Sequence, residues 1–169
     1  MRDLLNYFFN YKCVLLFSCS FNLACGQDGP RFYHVENCPV WTTEMIFKAE
    51  DKIEAALGKN ILIFTKDTGF PIICRELPDF NLHRFCGELN QDIIACAAAY
   101  RFIEINIDVF KHHNAQISIL MHEMGHLLGA MEHSENKEDV MYKEYHRNAA
   151  EKELTEHDIE QFKKALNKR

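Results

Sequence analysis

The sequence has 169 residues, of which 47% are hydrophobic and 26% charged, a balance typical of one globular domain and not of a disordered chain. The formal net charge is −6, from 19 basic and 25 acidic residues, which argues against nucleic acid as a partner because such proteins need a basic surface. With only 7 glycines and 4 prolines, the composition also excludes collagen-like and low-complexity architectures.

Residues 1–25 have the features of an export signal. Arg2 and Lys12 make a weakly basic start, and the apolar stretch from Cys13 to Ala24 is too short to span a bilayer comfortably. A buried N-terminal helix is the alternative, but the polar run QDGPR that follows at once resembles the start of a mature chain. We therefore expect a signal peptide at 1–25 and one domain at 26–169 in an exported protein, either secreted or anchored as a lipoprotein.

The seven cysteines divide between the signal and the mature domain. Cys25 and Cys19 each lie in a stretch that resembles a bacterial lipobox, so either could carry a lipid anchor. Four others remain in the mature domain, and in an oxidising compartment they would form two disulfides: Cys38, Cys74, Cys86 and Cys96. The sequence leaves all three pairings open, including one between the second and third of these across a loop. None of the four forms a C-x-x-C pair, which disfavours a cysteine-based metal site.

The mature domain is predicted to begin with a helix and a strand. Residues 42–57 carry apolar side chains at helical spacing. Thr42 or Thr43 can cap the start of this helix, and Gly58 can end it in a left-handed conformation. Asn60–Lys66 is a short apolar run with β-branched residues, which predicts a strand.

The middle of the chain is predicted to contain loops followed by two strands. Residues 68–91 hold two of the four prolines, two of the seven glycines and many polar residues, and are therefore predicted to be loops. Asp92–Ala98 and Phe102–Val109 are predicted strands, the second with clean alternation of apolar and polar residues.

Two helices are predicted towards the C-terminus. Asn114 is expected to cap a helix that runs to Gly129, and Thr155 to open a last helix with Asp158 as its capping-box partner. This order of elements predicts a mixed α/β layer with helices packed on a sheet.

Functional groups concentrate in the run HEMGHLLGAMEH, which has the pattern H-E-x-x-H-x-x-G-x-x-H. His122 and His126 are one helical turn apart, so they can offer two imidazoles to one metal, with Glu123 beside them. Gly129 can adopt a positive φ and turn the chain back, which would make His133 a third ligand. Three neutral imidazoles suit zinc and leave a fourth position for water.

This segment resembles the active-site segment of metzincin metallopeptidases, and specifically of matrixins. Met141 lies eight residues after His133, which is the spacing of the matrixin methionine turn, and Ser134 and Tyr142 also match. The final stretch LTEHDIEQFKKAL is similar to the C-terminal helix of that family. The resemblance implies a metzincin-like zincin fold of the α/β (α+β) class, with a mixed twisted sheet, an active-site helix and a C-terminal helix.

What the resemblance implies is a zinc endopeptidase that acts on protein or peptide substrates. One catalytic zinc would be bound by His122, His126 and His133. Glu123 would be the general base that activates water and then carries the proton to the leaving amine. Met141 would form the floor of the site, and Tyr145 would form a wall of the S1′ pocket, which holds the residue after the scissile bond.

Several positions depart from the matrixin pattern or have no counterpart in it. Lys143 stands where matrixins usually have proline, so we expect a different pocket wall. The stretch CRELPD, which begins at Cys74, is similar to the inhibitory cysteine motif of matrixin prodomains, but it falls inside the catalytic region, so Cys74 is taken as structural. Calcium or a second zinc has no matched ligands, and His83, His112 and His113 are candidates by residue type alone.

The resemblance also leads to expectations about latency, the cleft and an alternative function. The length after residue 25 is that of a bare catalytic domain without a prodomain, so we expect a monomer that is active once exported and metallated. Phe102–Val109 is the candidate for a strand near the cleft, since it precedes the active-site helix. The alternative is a non-catalytic, zinc-stabilised binding protein on the cell surface with the same fold, and the presence of Glu123 argues against it.

Overall fold

The computed structural model describes residues 29–76, 93–98 and 101–168. The elements follow in this order: β1 (Arg31–Glu36), α1 (Val40–Leu57), β2 (Leu62–Phe64), β3 (Phe70–Arg75), β4 (Ala95–Ala98), β5 (Phe102–Asn106), α2 (Ile107–Phe110), α3 (Gln116–Leu128) and α4 (Glu156–Asn167).

Several predictions fall on parts of the chain outside this description. They concern the signal at residues 1–25 with its candidate lipid anchors, the disulfide candidate Cys86, the metal candidate His83 and the start of the strand predicted from Asp92. Among the residues that are described, no helix has the length and apolar character needed to cross a membrane.

The five strands form one mixed sheet in the order β2-β1-β3-β5-β4. β1 pairs in parallel with β2 and β3, and β3 pairs in parallel with β5. β4 runs antiparallel to β5 and lies at the edge. Because neighbouring parallel strands need a crossover, α1 connects β1 to β2. The predicted α/β class, a mixed sheet with packed helices, is confirmed.

The core lies between the sheet and the two helices α1 and α3, which contact each other. The apolar face predicted for α1 is confirmed, since Ile46, Ala49 and Ile53 are completely buried. Ile103 and Ile105 of β5 are equally buried. The sheet therefore presents branched apolar side chains to helices that carry a matching apolar face.

Two strands were missed by the sequence analysis. β1 precedes the first predicted element, and β3 lies inside residues 68–91, which were wrongly predicted to be loops throughout. Pro71 caused the second error, because proline normally interrupts a central strand. In the structure β5 begins to pair with β3 only at Ile72, one residue later, so Pro71 needs no partner on that side.

Phe102–Val109, the candidate for a strand near the cleft, does not form the edge of the sheet. The strand ends at Asn106 and lies inside the sheet, between β3 and β4. The edge strand that contacts α3 is β4. Order along the chain could not reveal this, because β4 comes earlier in sequence but pairs outside β5.

The start of α1 differs from the prediction, whereas its end agrees. The helix begins at Val40 with Pro39 as N-cap and without a side-chain cap, and Thr42 is buried in the first turn. The predicted threonine cap is therefore wrong. Gly58 has φ 67° and ends the helix in the left-handed conformation, as predicted.

One disulfide joins Cys38 to Cys74. The register of β1 and β3 explains it: Glu36 pairs with Ile73, so the residues just beyond this pair lie close together. The pairing of Cys74 with Cys86 that was left open is therefore wrong, and Cys74 is structural as expected. Cys96 is also disulfide-bonded.

Candidate active site

The start of α3 is held by a distant carboxylate. Its N-cap is Ala115 and makes no side-chain hydrogen bond, so the predicted cap at Asn114 is wrong. The carboxylate of Glu151 accepts hydrogen bonds from the amides of Ile117 and Ser118, at 2.9 and 2.8 Å. These amides have no partner within the helix, so Glu151 takes over the role of the cap.

The end of α3 has the turn that the motif requires. Gly129 has φ 103°, and its amide donates to the carbonyls of Gly125 and His126. This left-handed residue stops the helix and reverses the chain, which brings His133 back towards the helix.

Three imidazoles converge beyond this turn. The Nε2 atom of His126 lies 3.1 Å from the Nε2 atoms of both His122 and His133. His122 and His126 are buried, whereas His133 is exposed on the side of the turn. The structure therefore brings together all three histidines of the predicted ligand set.

The outer ring nitrogens determine what these imidazoles can do. The Nδ1 atom of His122 lies 2.9 Å from the carbonyl oxygen of Val140, and that of His126 lies 2.7 Å from the carbonyl oxygen of Ala130. A carbonyl only accepts, so each Nδ1 carries the proton, and each neutral ring points the Nε2 lone pair inwards. Burial opposes the charged forms, and it lowers the pKa of His122 to about 3, with His126 adding to the shift.

This arrangement fits a zinc ion. The inward lone pairs of His122 and His126, whose Nε2 atoms are 3.1 Å apart, cannot hydrogen-bond to each other and would repel without a cation between them. Tetrahedral zinc with bonds of about 2.0–2.1 Å would separate its nitrogen ligands by about 3.3–3.4 Å. The spacing and the tautomers of the residues present therefore suit zinc.

Glu123 is next to the first histidine and is 7% exposed. The backbone amide of Ala97 in β4 donates a hydrogen bond to its carboxylate. Burial raises the pKa of Glu123 to about 8, against the opposing effect of this hydrogen bond. The Glu123 side chain is thus fixed between α3 and the edge strand.

Met141 lies in the turn that follows His133 and is completely buried. Its carbonyl accepts from the amide of Ser134 at 2.7 Å. A Cβ atom on Gly125 would come within 2.7 Å of the Met141 sulfur and 2.6 Å of the Phe162 ring. Gly125 therefore permits the methionine turn and α4 to approach α3 closely, a role that the sequence analysis did not assign.

Two buried carboxylates hold the methionine turn in place. Asp158 accepts from the amides of Val140 and Met141, at 2.9 and 3.0 Å, and takes part in the predicted capping box with Thr155. Asp139 accepts from Ser134 Oγ and His157 Nδ1, at 2.5 and 2.7 Å.

Burial alone would raise the pKa of Asp139, but hydrogen bonds from Ser134, His157 and Thr155 lower it. Apart from the capping box, these contacts were not predicted from the sequence. The nearest signal was the acidic residue directly before the Val-Met pair.

Tyr145 forms part of the wall of a pocket at the histidines. Its hydroxyl donates to the Val140 carbonyl at 2.8 Å, the same oxygen that His122 uses. Lys152 lies over its ring, 4.5 Å from the centroid. The pocket measures about 430 Å³ and also includes Glu123 and Lys143. Tyr145 and Lys143 therefore line the same pocket as His122 and Glu123.

Comparisons with known proteins identify the family. The family model for matrixin matches residues 30–166. The chain belongs to the matrixin family. The fold of this matrixin is similar to a crystal structure of archaemetzincin from Methanopyrus kandleri, with a TM-score of 0.60 and 10% sequence identity over 87% of this chain and 100% of that chain. No curated protein sequence matches this matrixin significantly.

Family membership and the site agree on a zinc metallopeptidase. Matrixin is a family of zinc peptidases, and the three histidines are a group that could hold a metal. In the described ranges no other cluster of three or more histidine, cysteine or acidic side chains could do so. His112 and His113 thus do not belong to a second metal cluster within those ranges.

Proposed function

We propose that this matrixin is an exported zinc endopeptidase that hydrolyses peptide bonds within protein or peptide substrates. The observation that carries the proposal is the convergence of three Nε2 atoms, from His122, His126 and His133, beside the buried side chain of Glu123. A zinc ion held by these histidines would polarise a peptide carbonyl and acidify a neighbouring water molecule.

In this proposal Glu123 moves the proton. Its carboxylate takes a proton from water as the water oxygen bonds to the peptide carbonyl carbon. The same proton then passes to the amide nitrogen as the carbon–nitrogen bond breaks, which releases an amine and a carboxylic acid. The hydrogen bond from Ala97 keeps the carboxylate in one orientation for both transfers.

Substrate binding is proposed to use the edge strand. β4 pairs with β5 on one side, and an extended peptide can add to its other side through backbone hydrogen bonds. Tyr145 would contact the first residue after the scissile bond, and Met141 would support the histidines from below. Pairing through the backbone suits a peptidase that cleaves unfolded segments of many sequences.

Export is part of the proposal and rests on the N-terminal sequence. The apolar stretch ending at Ala24 supports it, and the disulfide between Cys38 and Cys74 suits an oxidising compartment. Mass spectrometry of the N-terminus after expression in an exporting cell tests this. We expect a mature chain that starts near Gly26, or an acylated Cys25 or Cys19, whereas an intact N-terminus in the cytoplasm would contradict export.

The Glu123→Gln variant tests the general base. We expect a loss of about 10²–10⁴-fold in kcat for a quenched peptide substrate, because the amide cannot accept the proton. Zinc content should be unchanged, since Glu123 is not a proposed ligand. The matched control is Glu132→Gln, an exposed glutamate close to His133, which should keep full activity.

Two results would contradict the assignment. Full turnover by purified Glu123→Gln would remove Glu123 from the mechanism. A zinc-loaded wild-type protein that cleaves no unfolded protein or peptide would favour the alternative, a zinc-stabilised binding protein of the same fold. Loss of wild-type activity with a chelator and its recovery with zinc complete the test.

A further inference from the structure

We propose that a second pocket beside the catalytic cleft is a subsite for a carboxylate of the substrate, on the carboxyl side of the scissile bond. This inference rests on the proposed function, because it concerns the same peptide substrate. We call this second pocket the lateral pocket. Its walls include these residues: Asp108, His112, His113, Tyr145, His146 and Arg147.

The lateral pocket adjoins the catalytic cleft. Tyr145 and His146 belong to the walls of both, so one short segment separates the two volumes. The Tyr145 ring meets the His122 ring edge-on at a centroid distance of 5.9 Å. A peptide whose first residue after the scissile bond packs on Tyr145 therefore has its next residues close to the lateral pocket.

The lateral pocket contains one arginine, three histidines and one aspartate, although the whole chain is acidic. Arg147 contributes a permanent positive charge, and His112 and His146 are exposed histidines at the rim. Asp108 is its acidic member, and Lys111 already bonds to that carboxylate at 3.0 Å. Since the net charge of the chain is −6, an attraction for acidic substrates has to come from a local cluster of this kind.

Arg147 and His112 both act electrostatically on a third residue of the lateral pocket, His113. His113 is 8% exposed, and its pKa is lowered first by burial and then by the charges of Arg147 and His112. Its Nδ1 atom has no hydrogen-bond partner among the described residues. Within the same residues no carboxylate is close enough to form an ion pair with Arg147. The Arg147 charge therefore has no ion-pair partner within the described residues, and the exposed rings of His112 and His146 line the same pocket.

A carboxylate is the ligand that this chemistry fits. A guanidinium binds a carboxylate through two parallel hydrogen bonds, and neutral histidines can add further donors. The volume of about 400 Å³ admits an aspartate or glutamate side chain. The carboxylate could equally be the C-terminus of a short substrate, so the experiment separates these two sources.

The test uses quenched peptides that differ at one position, the second or third residue after the scissile bond. That residue is Glu, Gln or Lys in C-terminally amidated peptides, and a fourth peptide carries Gln with a free C-terminal carboxylate there. We expect wild-type kcat/KM to favour Glu over Gln about fivefold at low salt, as for a partly solvated charge pair. The preference should shrink as salt is added, because the charges are screened.

Variants of Arg147 connect this preference to the pocket. Arg147→Gln should cleave the Glu and Gln peptides equally well, and Arg147→Glu should favour the Lys peptide. The matched control is Lys163→Gln, which removes one positive charge from the exposed face of α4 and should keep the wild-type preference. If the wild type has a higher kcat/KM for the free-carboxylate peptide than for the amidated Gln peptide, and the Glu peptide shows no such increase, the ligand is a C-terminus.

Failure of the subsite and failure of the enzyme can be distinguished. Equal cleavage of all four peptides by the wild type, or an unchanged preference in Arg147→Gln, would overturn the subsite and leave the peptidase intact. If no peptide is cleaved, the proposed function fails. The subsite is then judged by fluorescence anisotropy of labelled Glu and Gln peptides on the zinc-loaded chain, where equal affinities would overturn it.

Discussion

The sheet half, β1–β5 with α1, and the site half, from α3 to α4, are held together by different interactions. In the sheet half the buried side chains are mostly branched apolar ones, such as Ile46 and Ile103. A disulfide joins Cys38, just after β1, to Cys74 in β3. In the site half the buried carboxylate of Asp158 binds two backbone amides of an irregular segment.

The two halves differ because their backbone amides find hydrogen-bond acceptors in different ways. A strand satisfies its own amides in the sheet, so apolar packing suffices. The turn that carries Met141 has no such ladder, and its buried amides need side-chain acceptors such as Asp158. We therefore expect changes in the site half to alter both stability and zinc affinity, and changes in the sheet half to alter stability alone.

The largest effect is expected for Asp158→Ala. The variant leaves the buried amides of Val140 and Met141 without an acceptor, which should lower the free energy of unfolding by about 3–4 kcal/mol. Zinc affinity should fall about 10-fold or more, because the Val140 carbonyl orients His122. Urea denaturation and competition with a chelating dye measure the two quantities. Glu160→Ala, an exposed carboxylate of the same helix, is the control, and equal effects in both variants would contradict the role of Asp158.

A smaller effect is expected for Gly125→Ala. The added methyl group meets the Met141 sulfur and the Phe162 ring, which should cost about 1–3 kcal/mol. The higher helix propensity of alanine should offset about 1 kcal/mol of this loss in stability. The double variant Gly125→Ala/Phe162→Leu should recover part of the loss in thermal denaturation, since the ring supplies two of the close contacts. An undiminished stability of Gly125→Ala would show that α3 and α4 do not pack as closely as described.

The smallest effect is expected in the sheet half, for Glu50→Gln. Burial raises the pKa of Glu50 to about 7, with Glu54 and Asp51 adding to the rise, although the Tyr33 hydroxyl donates to it at 2.5 Å and opposes the shift. Because folding raises the pKa of Glu50, the folded state favours the protonated side chain. The resulting stabilisation is complete below about pH 4.5 and is lost as the pH rises through about 7.

Glu50→Gln should therefore equal the wild type at pH 4 and be more stable by about 1–2 kcal/mol at pH 8, after allowance for solvent screening. Denaturation at a series of pH values measures the difference. Glu44→Gln, an exposed glutamate of the same helix, should show no such trend. Zinc affinity should stay unchanged, and a loss of zinc in Glu50→Gln would break the separation between the two halves.

Prediction from the sequence succeeded where neighbouring residues determine the structure. The spacing of His122 and His126, the left-handed Gly129 and the capping box at Thr155 depend on local geometry, and all are present in the structure. Strand β3 was missed because neighbouring residues do not determine it. It is buried by pairing with β1 and β5, whose partner residues lie far away in the chain.

The sequence by itself determined the histidine pattern, the glutamate beside it and the helix that carries the first two histidines, because a helix has a fixed period and its start and stop signals are local. Only the tertiary structure decided that β4 is the strand at Glu123, that Cys38 pairs with Cys74, and that Asp158 holds the methionine turn. These contacts join residues from distant parts of the chain, and strand order has no period from which it could be predicted.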